Sequence, residues 1–529
     1  MLFTSYEFLA FATALLILYY LIPKRTQLWL LLAASYIFYG LSGAKYLIFI
    51  IGVSLTAYIT ALIIGGMADR ENAYVEVNRA SITKEERKAY RTLGKRKRLT
   101  VLLCGLFIGF GVLAVIKYTA FAVNNVNILL KLFGSNEFKV PQLLLPLGIS
   151  FYTFQSMGYL IDVYRGKAKP ERNIAKFALF ISFFPQLIQG PISRFNDLSH
   201  QLCSPHYFDF RTVAFGLQRV LWGYFKKLVV ADRMLVAVKA LMESPEKYTG
   251  VYVFLLIIFY SIQIYADFTG GIDITIGLSE ALDIKLAENF KHPFFSKSTK
   301  EYWRRWHITM GTWFSDYIFY PLSVSKPMQK LSKKSRERLG NALGKRIPVY
   351  IATLVTWFLT GIWHGAGWNF IVWGLLNAII ILISQELSPL YERFHIKFPK
   401  IGKSAPYALF MMIRTFLLMG TVRILDCYRD VPLTFRMIGS IFTTFNWNAL
   451  FDGSVLSLGL SAGDYIVILC GCILMTIVST MGEKKDVRER MWGHPVIGLT
   501  AVSAVLTSIL IFGAYGVGYD ASQFIYNQF

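Results

Sequence analysis

Charge is what this chain has least of. Only 16% of its 529 residues are Asp, Glu, Lys or Arg, and the 35 residues from Tyr350 to Ser384 contain none of them. A soluble chain of this length would carry more charge and split into several domains, so that reading is excluded. Cysteine is scarce as well. There are five, Cys104, Cys203, Cys427, Cys470 and Cys472; the number is odd and three lie in apolar runs, so no disulfide framework is indicated. A Walker A loop is missing, which leaves a P-loop ATPase unsupported. The N-terminus lacks a basic n-region and a small-residue cleavage site, so Met1 to Ile22 reads as a retained first span.

What is present is apolar surface. The chain is 55% hydrophobic and 16% aromatic, and its apolar runs recur from end to end. This is the pattern of an all-α, polytopic integral membrane protein whose partner is the lipid bilayer. The expected runs are Tyr6–Ile22, Leu28–Gly40, Tyr46–Ala68, Leu99–Ile116, Ala120–Phe133, Leu143–Tyr164, Ala175–Gly190 and Val251–Phe268. After these come Val349–Trp363, Trp368–Ile383, Tyr407–Leu425, Tyr465–Thr480 and Pro495–Tyr515. With short and broken pieces this makes roughly 11–13 membrane elements. Phe184-Pro-Gln-Leu-Ile-Gln-Gly-Pro191 breaks its run, and broken backbone at membrane depth is tolerated only where protein or a cavity satisfies it, so a re-entrant segment is expected there. Phe210 to Lys239, with Lys226-Lys227, suggests an amphipathic interfacial helix. No internal repeat or low-complexity linker marks a boundary, so residues 1–529 read as one polytopic domain.

The net charge is +23. No basic recognition module accompanies it, so nucleic acid is not expected as a partner. The basic residues sit mainly in loops. Asp69–Arg98 holds ten Lys/Arg against five Asp/Glu, and Ser323–Arg346 holds eight against one. Both loops are therefore expected on the cytoplasmic side. Three spans precede the first loop, which puts the N-terminus outside the cytoplasm.

Two histidines stand out. His307 ends the cluster Trp303-Arg304-Arg305-Trp306-His307, and His364 lies in Gly361-Ile-Trp-His-Gly-Ala366 within the uncharged run. An ionisable side chain at bilayer depth is costly and is a functional-site candidate. If the first cluster is helical, Trp303, Trp306 and His307 share a face. An interfacial aromatic-basic belt accounts for the tryptophans and arginines equally well; the alternative is that Arg304 and Arg305 meet a phosphate or carboxylate. A histidine between packed helices is likewise an alternative for His364. Gln155, Gln186, Gln189, Asp267, Asp273 and Asn369 add polar groups at depth, which together argue for a wet cavity. Decoys are present too. His200-x2-Cys203-x2-His206 lacks a fourth ligand at zinc spacing, and Cys470-Gly-Cys472 sits in an apolar run, so neither supports a metal or redox site.

These residues resemble the membrane-bound O-acyltransferases, more narrowly their bacterial alginate and peptidoglycan O-acetylation branch. The matching stretches are Leu145 to Gln155, Tyr159 to Gly166, Phe183 to Pro191, Gln263 to Gly270, Glu288-Asn-Phe290, Tyr302 to Thr309 and Gly361 to Asn369. They run in family order over a core of about 140–380, with further spans after about 400. The resemblance implies a helical bundle around a central tunnel, a catalytic His364 and a second signature position at His307. It also implies substrate or donor contacts among Trp303, Arg304, Arg305, Trp306, Gln155, Gln186, Gln189, Asp267, Asn289, Asp316 and Asn369. The implied donor is acetyl-CoA or an acyl-carrier-protein thioester, with no tightly bound cofactor or metal. The implied partner is an extracytoplasmic esterase-like (SGNH) acetyltransferase, and the implied location is the bacterial cytoplasmic membrane. The chain departs from the alginate-type pattern at Gly271-Ile272 and in Gly420-Thr-Val-Arg-Ile-Leu-Asp426. It is longer than the related teichoic-acid D-alanyl transferases, which offer a second reading; a transporter or flippase for envelope precursors is a third, from another class.

Overall fold

The computed structural model describes residues 3–143, 145–483 and 485–515. Met1, Leu2, one residue of the expected Leu143–Tyr164 run and the last fourteen residues of the chain lie outside the described residues. Among the described residues there is no β-strand; a single isolated bridge pairs Phe290 with Trp306. Eight helices among the described residues are long and apolar enough to cross a membrane, and Tyr6–Leu21 and Val431–Thr443 are shorter apolar helices. The chain is a multi-pass membrane protein.

Several expected loops are helical. The helix Leu47–Val77 runs on through the first charged segment, and Lys84–Leu132 begins inside it. The expected Leu99–Ile116 and Ala120–Phe133 elements are therefore one helix of 49 residues, about 73 Å long against a hydrocarbon core of about 30 Å. Its start is set by a capping box: Thr83 accepts from the Glu86 N–H, and Glu86 accepts from the Thr83 N–H. Glu71 pairs with Arg98 at 3.1 Å and Tyr74 stacks on Tyr90 at 4.4 Å. The charged residues look like a loop in the sequence because they interrupt the apolar period. They are instead the solvated continuation of two paired helices, which needs no apolar stripe once the charges pair across the hairpin. The second basic segment is likewise mostly the helix Lys326–Gly344, interrupted at Gly340.

The described residues fall into two compact units. The first comprises Met1–Gly216 with Leu278–Ala287, and the second Leu217–Gly277 with Glu288–Phe529. In the first, Ile149–Arg165 is buried along nearly its whole length. The expected break after Ser182 is present: Ile174–Ser182 stops, and Phe184–Leu187 forms a separate buried turn whose Phe184 N–H donates to Ser35 Oγ at 3.2 Å. The decoy His206 has a structural use here. Its Nδ1 lies 3.0 Å from an Asp283 carboxylate oxygen and its Nε2 2.7 Å from the Gln201 carbonyl, while Gln27 brackets its backbone.

The expected interfacial helix is corrected. Phe210–Tyr224 passes into a π-helical turn, Phe225–Ala231, and then Asp232–Glu243. Lys226 and Lys227 are buried in that turn rather than reaching for headgroups. Lys226 meets Asp273 at 2.5 Å, and Lys227 meets Asp267 at 2.6 Å and Asp232 at 2.7 Å. Arg219 completes the ladder, bound to Asp273 at 2.9 Å and to Glu288 at 2.7 Å. The apolar neighbours of the two lysines point to lipid; what the lysines approach is Asp267 and Asp273 on Val251–Ala281, 40 or more residues away in sequence, together with the nearby Asp232.

Candidate functional site

The second unit brings both histidines to one aromatic nest. His364 is the last residue of Ile347–His364; Gly365-Ala-Gly367 turns the chain, and Trp368–Glu386 returns. The two helices meet at their glycines. A Cβ on Gly374 would stand 2.4 Å from the Trp357 carbonyl oxygen, and one on Gly361 would stand 2.4 Å from that of Phe370. Only glycine permits that approach, so the histidine is delivered at the tip of a tight helical hairpin. Its ring is 5.0 Å from Trp363 and 4.7 Å from Trp373, edge to face in both cases.

His307 is presented differently from the expectation. The helix Thr299–Arg305 ends before it; Trp306 is extended and His307 adopts the left-handed conformation at φ 48°. Trp303, Trp306 and His307 therefore do not share a helix face. The reason is tertiary. The Lys291 N–H donates to the Arg305 carbonyl at 2.9 Å and the Ile308 N–H to the Asn289 carbonyl at 3.0 Å, so a facing segment captures backbone groups that a helix would have used. Asn289 fixes the far side of the turn: its Oδ1 accepts from Thr309 N–H at 3.0 Å and from Thr309 Oγ1 at 2.9 Å. A left-handed non-glycine residue is uncommon and persists only when its surroundings hold it. His307 is fully buried, with its ring 5.8 Å from Trp363 and 5.0 Å from Phe268. Burial pushes its imidazole far below the ordinary histidine range, to about 3, so it is neutral at physiological pH. We expect Asn289→Ala to release this turn. Activity should fall about tenfold or more, with a stability loss of about 1–3 kcal/mol for two lost buried bonds; turnover and a melting curve in detergent, run side by side, check both.

Both histidines thus flank one indole, that of Trp363. Trp303 closes the nest, 4.7 Å from Trp357 and 5.7 Å from Trp373. Asn369 ties the hairpin to the helix Ala405–Tyr428 through its Nδ2, 3.2 Å from the Leu425 carbonyl. Asp267 is buried in the lysine ladder, and its neighbour Phe268 touches His307. Arg304 is exposed. Arg305 is bound by Glu301 at 2.9 Å and Glu483 at 2.8 Å, and Asp316 is half-buried in the π-helical turn Ser315–Phe319. The glutamines belong to the first unit. Gln155 Nε2 donates to the Phe180 carbonyl at 2.7 Å; Gln186 Nε2 reaches Gln155 Oε1 at 3.3 Å, and Ser193 donates to Gln186 Oε1 at 3.0 Å. Gln189 is fully buried, and its amide has no hydrogen-bond partner among the described residues.

The residue that sequence reasoning missed is Arg423. Its guanidinium carbon lies 4.0 Å from the Trp306 ring centre, and its Nη2 donates to the Tyr302 hydroxyl at 2.7 Å. An arginine inside an apolar run was the available signal.

Residues 171–428 match the MBOAT, membrane-bound O-acyltransferase family. The chain is 35% identical to a protein named "Probable alginate O-acetylase" of Azotobacter vinelandii, over 73% of this chain and 69% of that one. It is 31% identical to the "Peptidoglycan O-acetyltransferase" of Helicobacter pylori, over 72% and 68%. This chain belongs to the membrane-bound O-acyltransferase family. The acyltransferase is also 28% identical to the "Teichoic acid D-alanyltransferase" of Bacillus subtilis, over 44% of its own length and 58% of the relative's. The family match starts later than the core read from the sequence and runs on to Tyr428, so it takes in the whole of the helix that carries Arg423.

Proposed function

We infer that this acyltransferase moves an acetyl group from a cytoplasmic thioester, acetyl-CoA or an acyl-carrier-protein thioester, through a tunnel to the outer face of the bacterial cytoplasmic membrane. There an extracytoplasmic esterase-like (SGNH) partner places it on a polysaccharide or cell-wall polymer. The N-terminus faces outward. The observation that carries this reading is the placement of His364 and His307 at 5.0 Å and 5.8 Å from one indole, that of Trp363, one at a hairpin tip and one in a strained, buried turn.

The chemistry follows from what a hydroxyl lacks. It is a poor nucleophile until its proton is taken, and a neutral imidazole is suited to take it. The His364 imidazole accepts the proton as the acceptor oxygen bonds to the thioester carbonyl carbon. The carbonyl oxygen carries the charge of the tetrahedral intermediate. As the C–S bond breaks, the imidazolium returns the proton to the leaving sulfur. His307, neutral and held by its turn, orients the substrate. The arrangement binds no metal in this scheme. Exposed Arg304 meets the donor's phosphates in this reading. D-alanyl transfer from a carrier protein is the second reading, favoured by the teichoic-acid relative but over a shorter match.

The test supplies radiolabelled acetyl-CoA to inverted membrane vesicles and follows label into polymer. Transfer supports the acetyl reading. Transfer of D-alanine from its carrier, with none from acetyl-CoA, replaces it with the second.

A further inference from the structure

We propose that Arg423 is the donor that holds the thioester carbonyl oxygen as it becomes an oxyanion, a role that rests on the acyl-transfer reading above. Three features of the structure lead to this assignment. Arg423 is 5% exposed, and its guanidinium lies 4.0 Å from the ring centre of Trp306, the residue bonded to His307. Its neighbours Val422 and Leu425 pack on Trp373, whose ring is 4.7 Å from that of His364. Arg423 therefore stacks on the segment that carries His307, and its helix packs on a tryptophan that lies against His364.

The third feature is its incomplete hydrogen bonding. Nη2 is used on Tyr302, whereas the buried Nη1 has no acceptor among the described residues. Buried groups of this kind are normally satisfied, and the exceptions call for an explanation. Asp426, one helical turn further on, places a carboxylate on the same helix, yet its Oδ1 also lacks a hydrogen-bond partner among the described residues. A planar guanidinium with one edge fixed and one edge open is pre-organised to receive an oxygen. Acyl transfer needs such a donor where negative charge develops, and loss of one typically costs about 10²–10³ in turnover. Stacking on Trp306 holds the plane, and Tyr302 fixes its rotation, so the open edge does not have to be ordered during the reaction.

The experiment compares wild-type enzyme with Arg423→Lys, Arg423→Gln and Tyr302→Phe, using acetyl-CoA as the probe in membrane vesicles. Melting temperatures of the purified proteins are measured alongside. Arg423→Lys keeps the charge but loses the planar fork. Both Arg423 variants should lower kcat by about 10²-fold or more, with the acetyl-CoA concentration for half-saturation within about threefold of wild type. Tyr302→Phe, which leaves the guanidinium in place, should lose less than about tenfold. Turnover of Arg423→Lys within about threefold of wild type overturns the assignment. So does a loss confined to KM, which would make Arg423 a binder of donor phosphates, and so does failure of both Arg423 variants to fold, which would make it structural. A wild-type enzyme that transfers no acetyl group removes the acetyl reading itself, and this is seen before any variant is compared.

Discussion

Replacing His364 by alanine or glutamine is expected to lower acyl transfer by about 10²–10⁴-fold, the usual contribution of a positioned base, with little change in the amount of folded protein. The side chain stands at the tip of the hairpin, past the Gly361–Gly374 contact, so the helices are packed before the imidazole is reached. Glutamine is the sharper test. It keeps polar character beside Trp363 and Trp373 but offers no group that can take a proton near neutral pH. Label from acetyl-CoA entering polymer at more than about a tenth of the wild-type rate, from matched amounts of Gln variant, would remove the base role.

Lys227→Met should have the largest effect on stability. The ammonium is 1% exposed and lies between Asp232 at 2.7 Å and Asp267 at 2.6 Å. Removing it leaves two carboxylates facing each other in a buried site. Breaking a buried pair by deleting one partner costs about 3–5 kcal/mol, because the remaining charge keeps its desolvation penalty without its attraction. Here one deletion strands two charges. The consequence should reach the site as well, because Phe268 follows Asp267 on the same helix and packs 5.0 Å from the His307 ring. A fall in melting temperature or in recovered folded protein, measured against Lys227→Arg, checks this. The double variant Lys227→Met with Asp267→Leu should recover part of the loss, since it returns one of the stranded charges to neutrality. A melting curve for Lys227→Met that overlays the wild type would show that the triad contributes nothing.

Lys227, His307 and Arg423 share a physical problem. Each is an ionisable group kept where water is scarce, which is costly unless something compensates. For Lys227 the compensation is visible, as two carboxylates at bonding distance. For His307 the neutral form avoids the cost. Arg423 is compensated by one hydroxyl, one indole face and the Asp426 carboxylate one turn further on, and on the inference above its open edge is what the reaction uses.

Much of this was legible in the residues. The uncharged run from Tyr350 to Ser384 marked the hairpin, and its glycines marked the close crossing that the structure contains. The Trp-Arg-Arg-Trp-His and Trp-His-Gly-Ala motifs marked the site, because rare residue types in unusual surroundings need no knowledge of the fold to be noticed. The expected helical face through Trp303, Trp306 and His307 failed because nothing local announces that Asn289 and Lys291 will take up the backbone of that segment. The lysines at 226 and 227 were assigned to the interface for a similar reason: a basic pair beside aromatics looks the same whether it faces headgroups or distant carboxylates.

The sequence by itself therefore determined that the chain is helical and membrane-embedded, and which imidazoles are the candidates for the site. Apolar run length and the cost of an ionisable group in lipid are properties of single segments. Only the tertiary structure decided that His307 sits in a left-handed turn, that Lys226 and Lys227 are buried in an ion-pair ladder, and that Arg423 stacks beneath the motif. Each of those outcomes depends on a partner tens to more than a hundred residues away, and hydrogen bonds and charge pairs act through space, whatever the distance along the chain.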